Sequence, residues 1–591
     1  MATFGFLAFL FLLLPSLASG QNSEDICKKT SWLRLLHHRS SYIGPKSGRI
    51  ADTNFYLHPK GAQDACLELG ATLDHLKGNR LLKGKPPGCW YPQRLYYLKQ
   101  QGFDLPTPHC PEFETWFKAL GANQVSYVFA AAYANKIASM FGHSLLRFDK
   151  TNDNGRGPSD ILSYGVNYGA LVDPTDLGIT YAFKGLFGGY GGAFGMAPYY
   201  MKINEYSHVE SRDLWEYQLD LTQEEVESLV RHFWELRAFK GPDYLFLTRN
   251  CSTQMLYLLE TVREDVNLVK PYDLYQLPSE TVTRLREAGL IRASKYRPSL
   301  LSQYLHSRSR LSDTERLLLA DWQSSENLPE EASRPALETL VKGLNYHRFN
   351  QKGVLSSRRK HQFQEGLVKL AGLPKTTATF PPLQAPYEPA NAQPPRYLNV
   401  AAQVGEDGSE HLLASLRLGV HNLMDQNRGH EPTMQMEFGV IQAKYNLNNE
   451  ALDLDKVVAA DLINLKPIER VVTPSWQFRL LWQRGVEGED PPITKFRVGG
   501  GLARGYSYRH LAWILSGMEA RASMTEATIG PYAWVGYILN LSQKAKLHLG
   551  GDFFYDLRNQ EVLREFEAQG NWYLAENHSI RLRLEVAEPS A

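Results

Sequence analysis

Two side chains offer the most definite chemistry in this sequence. Cys251 stands in Thr248-Arg249-Asn250-Cys251-Ser252-Thr253-Gln254-Met255-Leu256-Tyr257-Leu258-Leu259. Asn250 is a good N-cap, and Met255, Leu256, Leu258 and Leu259 supply an apolar face, so Cys251 falls in the first turn of a predicted helix. There the unsatisfied N–H groups and the helix dipole favour an anion, and the thiol is expected to have a lowered pKa and to act as a nucleophile near neutral pH. A buried cysteine that serves as a small hydrophobe fits the same position. A nucleophilic thiol needs a base. His143, in Phe141-Gly142-His143-Ser144-Leu145-Leu146-Arg147-Phe148, opens a predicted strand directly after a glycine, where a side chain can face a cleft. The chain holds 17 His, and an ordinary turn histidine also fits there.

Cysteine arithmetic singles out Cys251 independently. Phe4 to Leu14 is an apolar run ending near a small-residue stretch, Ala18-Ser19-Gly20, and reads as a leader for export; the alternative is an uncleaved anchor. No Cys follows the cleavage site, so a lipoprotein anchor is not expected, nor is a second membrane-spanning helix, since no other apolar run reaches about 18 residues. In an oxidising compartment Cys27, Cys66, Cys89 and Cys110 can form two disulfides by any of three connectivities. Cys251 is then the odd thiol.

The elements that must position these residues follow from periodicity. Residues 21–120 read as short helices broken by Pro and Gly. Val125–Phe129, Ser144–Phe148, Ile161–Tyr164 and Leu214–Leu219 read as strands. Helical patterns return from 221 to 373, with capping-box signals at Thr222/Glu225 and Ser312/Glu315. Seven Pro between Pro374 and Pro395 mark an extended linker and a domain boundary. After Arg396 the pattern alternates. Trp476, Phe478, Leu480 and Trp482 oppose Gln477, Arg479 and Gln483; Ile580, Leu582, Leu584 and Val586 oppose Arg581, Arg583 and Glu585. Ten to twelve antiparallel strands are expected. An outer-membrane barrel and a soluble barrel or sandwich both fit. Strand length, the load of 31 Tyr and 11 Trp and the leader favour the first, while the absence of a terminal aromatic counts against it.

The His143 motif, the Tyr206–Tyr217 stretch with Glu210, Arg212 and Trp215-Glu216-Tyr217, and Arg249-Asn250-Cys251-Ser252 together resemble the Lnb N-terminal periplasmic domain family, over about residues 120–300. That family is similar to permuted papain-like proteins of the NlpC and lecithin:retinol acyltransferase kind, in which a strand-opening His precedes a helix-opening Cys. The resemblance implies a permuted papain-like domain at 121–300; with the patterns above, the chain is expected to be α+β, with the leader at 1–20, helical flanks at 21–120 and 301–373, the linker at 374–396 and an antiparallel β-barrel, of outer-membrane type in one reading, at 397–591. It implies thiol-dependent acyl transfer or hydrolysis, with Cys251 as nucleophile and His143 as acid–base. The backbone around Cys251, with Asn250 and Ser252, would form the oxyanion or helix-cap site, and Asn167 or Ser163 would orient the histidine. The named family member acylates lipoprotein N-termini from a lipid donor and carries transmembrane helices after the shared domain. A linker and a strand-rich domain stand there in this chain.

Other features narrow the reading. Gly185 to Gly195 is glycine-rich with three aromatics and fits no phosphate loop; a mobile apolar flap or a plain surface loop is expected. His37-His38 and His109-Cys110 lack zinc-ligand spacing, so neither metal nor cofactor is expected. Lys plus Arg is 64 against 63 Asp plus Glu, which argues against a nucleic-acid partner, and 43% hydrophobic residues argue against global disorder. The expected partners are a lipid or lipoprotein substrate and, through the barrel, an outer membrane; the expected place is the periplasm and outer membrane of a Gram-negative bacterium. Two alternatives stand beside this reading: an envelope transport or scaffold protein whose papain-like domain is inactive, and a cysteine amidase of peptidoglycan.

Overall fold

In the computed structural model, the described residues are 23–39, 47–78, 80–132, 141–150, 163–176, 178–270, 275–324, 328, 332–350, 354–374, 380–468, 474–484, 491–506 and 509–588. The expected leader lies outside them.

Short helices dominate the N-terminal region, among them α1 (Ala65–Lys77), α2 (Pro92–Gln100) and α3 (Pro111–Leu120). Of the three pairings open to the four clustered cysteines, Cys27–Cys66 and Cys89–Cys110 are formed, and Cys251 is free and buried. The unit encloses an ion pair, Arg94 to Glu68 at 2.7 Å, with both side chains 0% exposed. Glu68 also accepts the Leu57 and His58 N–H groups at 2.9 Å, so the buried charge is fully solvated by protein.

Next comes a seven-stranded antiparallel sheet: β1 (Gln124–Ala130), β2 (His143–Asp149), β3 (Tyr164–Ala170), β4 (Tyr190–Pro198), β5 (Leu214–Leu219), β6 (Asp243–Tyr244) and β7 (Ile291–Arg297), in the order β6-β4-β3-β2-β1-β5-β7. Strand alternation divides its residues. Tyr127, Phe129, Leu146 and Phe148 face a large core shared with the N-terminal helices, whereas Val128, Ala130 and Leu145 face a smaller one with Tyr199, Tyr206 and Leu214. On the large-core side lie α4 (Gly178–Phe187), α5 (Gln223–Leu236), α6 (Cys251–Glu260) and α7 (Pro278–Glu287). The expected capping box starts α5: Glu225 N–H donates to Thr222 Oγ1 at 3.3 Å, and Thr222 N–H to Glu225 Oε2 at 2.7 Å. Glu235 of α5 accepts the Gln93 and Arg94 N–H groups, and His37 and His232 meet at 3.0 Å, so buried polar contacts also join the two regions.

Three expectations need correcting. The helical stretch from 221 is interrupted by β7, an edge strand whose residues are mostly exposed and hold little apolar periodicity. The glycine-rich segment is the end of α4 followed by β4, not a flap or loop. Its glycines permit close approach, since a Cβ on Gly192 would lie 1.8 Å from the Tyr168 hydroxyl. The linker's second half packs down: Tyr387 stacks on Trp215 at 5.1 Å, and Tyr217 O–H donates to Glu388 at 2.5 Å.

Helices Leu300–Ser309, Asp313–Ser324, Arg334–Asn350 and Ser357–Gly372 form the extension, with a core around Trp322, Leu337 and Leu340. Beyond the linker, eleven strands follow one another in a single antiparallel meander: β8 (Tyr397–Val404), β9 (Glu410–His421), β10 (Met434–Asn446), β11 (Ala451–Asn464), β12 (Ser475–Gln483), β13 (Ile493–Tyr506), β14 (His510–Ala522), β15 (Ala527–Ser542), β16 (Ala545–Asp556), β17 (Glu561–Ala575) and β18 (His578–Glu588). The sheet curls strongly, for Arg497 on β13 reaches Asp552 on β16 at 2.6 Å and Arg428, after β9, reaches Glu576 at 2.9 Å. Yet β8 and β18 do not pair with each other, so among the described residues the expected closed barrel is an open, curled sheet. Neither edge strand's sequence carries a signal for what its free edge meets.

The concave side carries ion pairs beside an apolar cluster around Trp513, Leu515 and Met424, and the convex side is largely apolar. Inside, Glu519 bridges Arg497 and Arg521, and Arg479 pairs with Asp461 at 2.9 Å. Outside, Leu582 and Leu584 are 65% and 66% exposed, and Leu549, Ile514 and Leu502 stand out similarly. Part of the convex side is covered: Leu418, Val420, Met436 and Phe438 pack against Phe141, Leu247 and Leu277 of the sheet-and-helix unit. No helix among the described residues is long and apolar enough to cross a membrane, which says nothing of strands.

Candidate active site

Asn250 fixes the start of α6. Its Oδ1 accepts the Thr253 N–H at 3.1 Å and the Thr253 hydroxyl at 3.2 Å, while its Nδ2 donates to the Phe246 and Gln276 carbonyls at 2.9 and 2.7 Å. One amide thus ties the helix start to two flanking segments. Asn250→Ala should cost about 2–3 kcal/mol, a lost cap plus two orphaned buried carbonyls. Urea unfolding checks this; a cost under about 0.5 kcal/mol would show that the flanking segments hold the turn unaided.

Cys251 is 1% exposed. Polar groups of Ser144, Ser252 and Tyr244 surround its sulfur and favour the thiolate. Ser252 Oγ lies 3.7 Å from Sγ and donates to Ser144 Oγ at 3.2 Å. The Cys251 N–H donates to the Tyr244 hydroxyl at 3.4 Å. Burial outweighs these groups and pushes the thiol above its ordinary range. The expectation of a lowered pKa is therefore corrected for this conformation. The helix-terminus argument holds, but it leaves out the cover over the sulfur.

Residue parity places His143 differently from the sequence expectation. Ser144 faces α6, so His143 projects to the other side of β2, where its ring lies 5.6 Å from that of Tyr206. Burial and the charges of Arg212 and Lys202 push the imidazole down to about 3, so it is neutral at ordinary pH. Arg212 is held by the Ala130 and Ala131 carbonyls and by Glu210 at 3.0 Å. Among the described residues no hydrogen bond joins His143 to Cys251. They remain neighbours, because Ser144, which follows His143, holds the Ser252 hydroxyl that lies beside Sγ. Gly142, at φ +89°, precedes the histidine, a conformation that suits glycine.

Among the described residues no hydrogen bond joins either orienting candidate to His143. Asn167, on β3, shares with Leu145 and His143 the sheet face turned away from α6. Ser163 donates to Asp149 at 2.9 Å, at the far end of β2, roughly 20 Å along the strand from His143. Tyr206 occupies the place beside the imidazole; it lies in the stretch that carried the resemblance. Tyr244 and Tyr181 were missed. Tyr181 is pushed up to about 12 by burial and the nearby Cys251. Tyr244 sits on a two-residue strand, too short for any periodic signal. Among the described residues no cluster of His, Cys, Asp or Glu could hold a metal ion.

A thiol at a helix N-terminus, set against the central strands of an antiparallel sheet and ringed by polar groups, defines a mixed helix-and-strand domain built around one cysteine. Residues 112–281 match the family described as the Lnb N-terminal periplasmic domain, and this segment contains His143, Asn167, Tyr206, Tyr244 and Cys251. The match supports an exported, periplasmic protein. Residues 24–101 and 386–590 match two further families, each described as a domain of unknown function, DUF7843 and DUF7840. No curated protein and no solved structure matches the chain.

Proposed function

We propose that the chain is a thiol-dependent acyltransferase or hydrolase of the cell envelope, with a permuted papain-like catalytic domain anchored by its C-terminal sheet in the outer membrane of a Gram-negative bacterium. The single observation that carries the catalytic reading is the placement of Cys251 as the first residue of a capped helix, with Ser252 Oγ 3.7 Å from its sulfur and the Tyr244 hydroxyl 3.4 Å from its N–H. A structural cysteine needs no such placement. In the proposed step His143, swung about the strand end at Gly142, takes the thiol proton, and Sγ attacks an ester or amide carbonyl. The oxyanion is received by the Cys251 N–H and the Tyr244 O–H. His143 returns the proton to the departing alcohol or amine, leaving a thioester on Cys251. An amine acceptor, such as a lipoprotein N-terminus, or water then takes the acyl group.

The anchoring reading rests on the sheet being inside-out for a soluble protein: ion pairs line its concave side and aliphatic side chains cover its convex side, the pattern of strands that meet lipid outside and water within. A barrel closed on that pattern is the proposed membrane form.

The test is to incubate the full chain in outer-membrane-like vesicles with phospholipid carrying a labelled acyl chain, then look for label that hydroxylamine releases from Cys251. Label present in the parent and absent in Cys251→Ser supports the enzyme. A second reading, a scaffold with an inactive domain, is favoured by the covered thiol and by His143 facing Tyr206. It requires no label with phospholipid and none with peptidoglycan peptides.

A further inference from the structure

Helix α4 packs one side against Phe246, in the turn that leads into the Cys251 helix, and leaves the other bare. On the inner side the Tyr181 ring lies 5.2 Å from Phe246, and Gly185 sits so close that a Cβ there would be 2.2 Å from the Phe246 ring. The Phe246 N–H donates to the Gly185 carbonyl at 2.8 Å. On the outer side the Phe183 and Phe187 rings lie 4.8 Å apart and are 62% and 73% exposed, with Leu186 beside them. Leu171 and Val172 are exposed on the segment before the helix. The helix's single charged residue, Lys184, is neutralised by Asp176 at 2.8 Å. An aromatic stripe with its charge already paired suits a phase of low dielectric.

We propose that α4 is an interfacial helix, its outer face seated in the surface of a phospholipid bilayer, so that the turn leading into the Cys251 helix lies at lipid level. The occupant is named by continuity. Phe246, which α4 grips, is followed directly by Leu247, and Leu247 belongs to the cluster that seats this domain on the convex side of β9–β12. Past that cluster the same convex side is exposed at Leu416, Ile441 and Leu454. If that side meets hydrocarbon, the domain stands at the hydrocarbon's edge, and the bare stripe of α4 meets the same phase. The proposal rests on the bilayer reading of the sheet, and its test separates the two.

The full chain carrying Cys251→Ser is given one new thiol at a time, Phe187→Cys, Leu582→Cys or Glu224→Cys, each at an exposed position. Each thiol is labelled with a polarity-sensitive fluorophore, and the protein is reconstituted into phosphatidylcholine–phosphatidylglycerol vesicles with or without spin-labelled acyl chains. The expected result is at least two-fold quenching at 187 and 582 and none at 224. Quenching at 582 but not at 187 overturns the α4 seat and leaves the sheet reading standing. Quenching at 187 but not at 582 keeps the seat and removes the sheet from the bilayer. Quenching at neither position overturns both.

Discussion

On the proposed mechanism Cys251→Ala should abolish the acyl-enzyme, a loss on the order of 10³-fold or more in turnover, because the remaining oxyanion donors cannot replace a nucleophile. Tyr244→Phe should lower acylation about 100-fold while preserving the fold, since it deletes one oxyanion donor and no packing atoms. The pH dependence follows from burial. The Cys251 thiol is pushed up, so its reactivity toward iodoacetamide should keep rising through and beyond the ordinary thiol range. His143 is pushed down to about 3, so its neutral form is present throughout neutral pH and adds no acid limb there. The same shifts act on stability with opposite sign. The protonated thiol stabilises the fold below about pH 8.5, the unfolded value, and that contribution fades as pH rises through the folded value. The neutral imidazole stabilises it above about pH 6.5, and that contribution fades as pH falls toward 3. Labelling of the parent chain across pH 4 to 10 checks the first point. A labelling midpoint below 7 would mean that the sulfur is open and charged at rest, and the covered thiol would be discarded.

Residues whose neighbours are local were legible in the sequence. Asn250 caps α6 because cap and helix are contiguous, and Thr222 with Glu225 closes a capping box for the same reason. The alternation of Trp476, Phe478, Leu480 and Trp482 is written in the chain, so β12 and the sheet around it could be read. What failed depended on contacts between distant segments. Whether His143 or Ser144 faces the thiol is decided by which residue of β2 sits opposite Ala130, and a one-residue shift reverses it. The sulfur's surroundings include Ser144 and Tyr244, neither of which any local pattern links to Cys251. The glycine run was misread because the close approach of Tyr168 to β4, which makes those glycines necessary, belongs to the neighbouring strand. The disulfide pairing, likewise, is set by how short helices stack.

The curled sheet distinguishes a buried charge from an exposed aliphatic residue more sharply than any other part of the chain. Glu519 is wholly buried between Arg497 and Arg521, and Arg497 is shared with Asp552. Glu519→Gln keeps the shape and removes the negative centre, leaving two guanidinium groups short of a partner on the concave side. Breaking one side of such a network should cost about 3–5 kcal/mol, read as a lower urea midpoint for the folded chain in detergent or vesicles. Leu582→Arg asks the opposite question on the convex side. In a bilayer the added charge should cost about 2–4 kcal/mol near mid-depth and about 0–1 near the rim. The same substitution at an exposed site of a soluble sheet should fall within about 0.5 kcal/mol of neutral. Measured together in vesicles, the pair fixes which side of the sheet meets water. Large costs for both variants fit ion pairs within and lipid without. A large cost for Glu519→Gln with a neutral Leu582→Arg would leave the concave network as a structural brace and take the convex side out of the membrane.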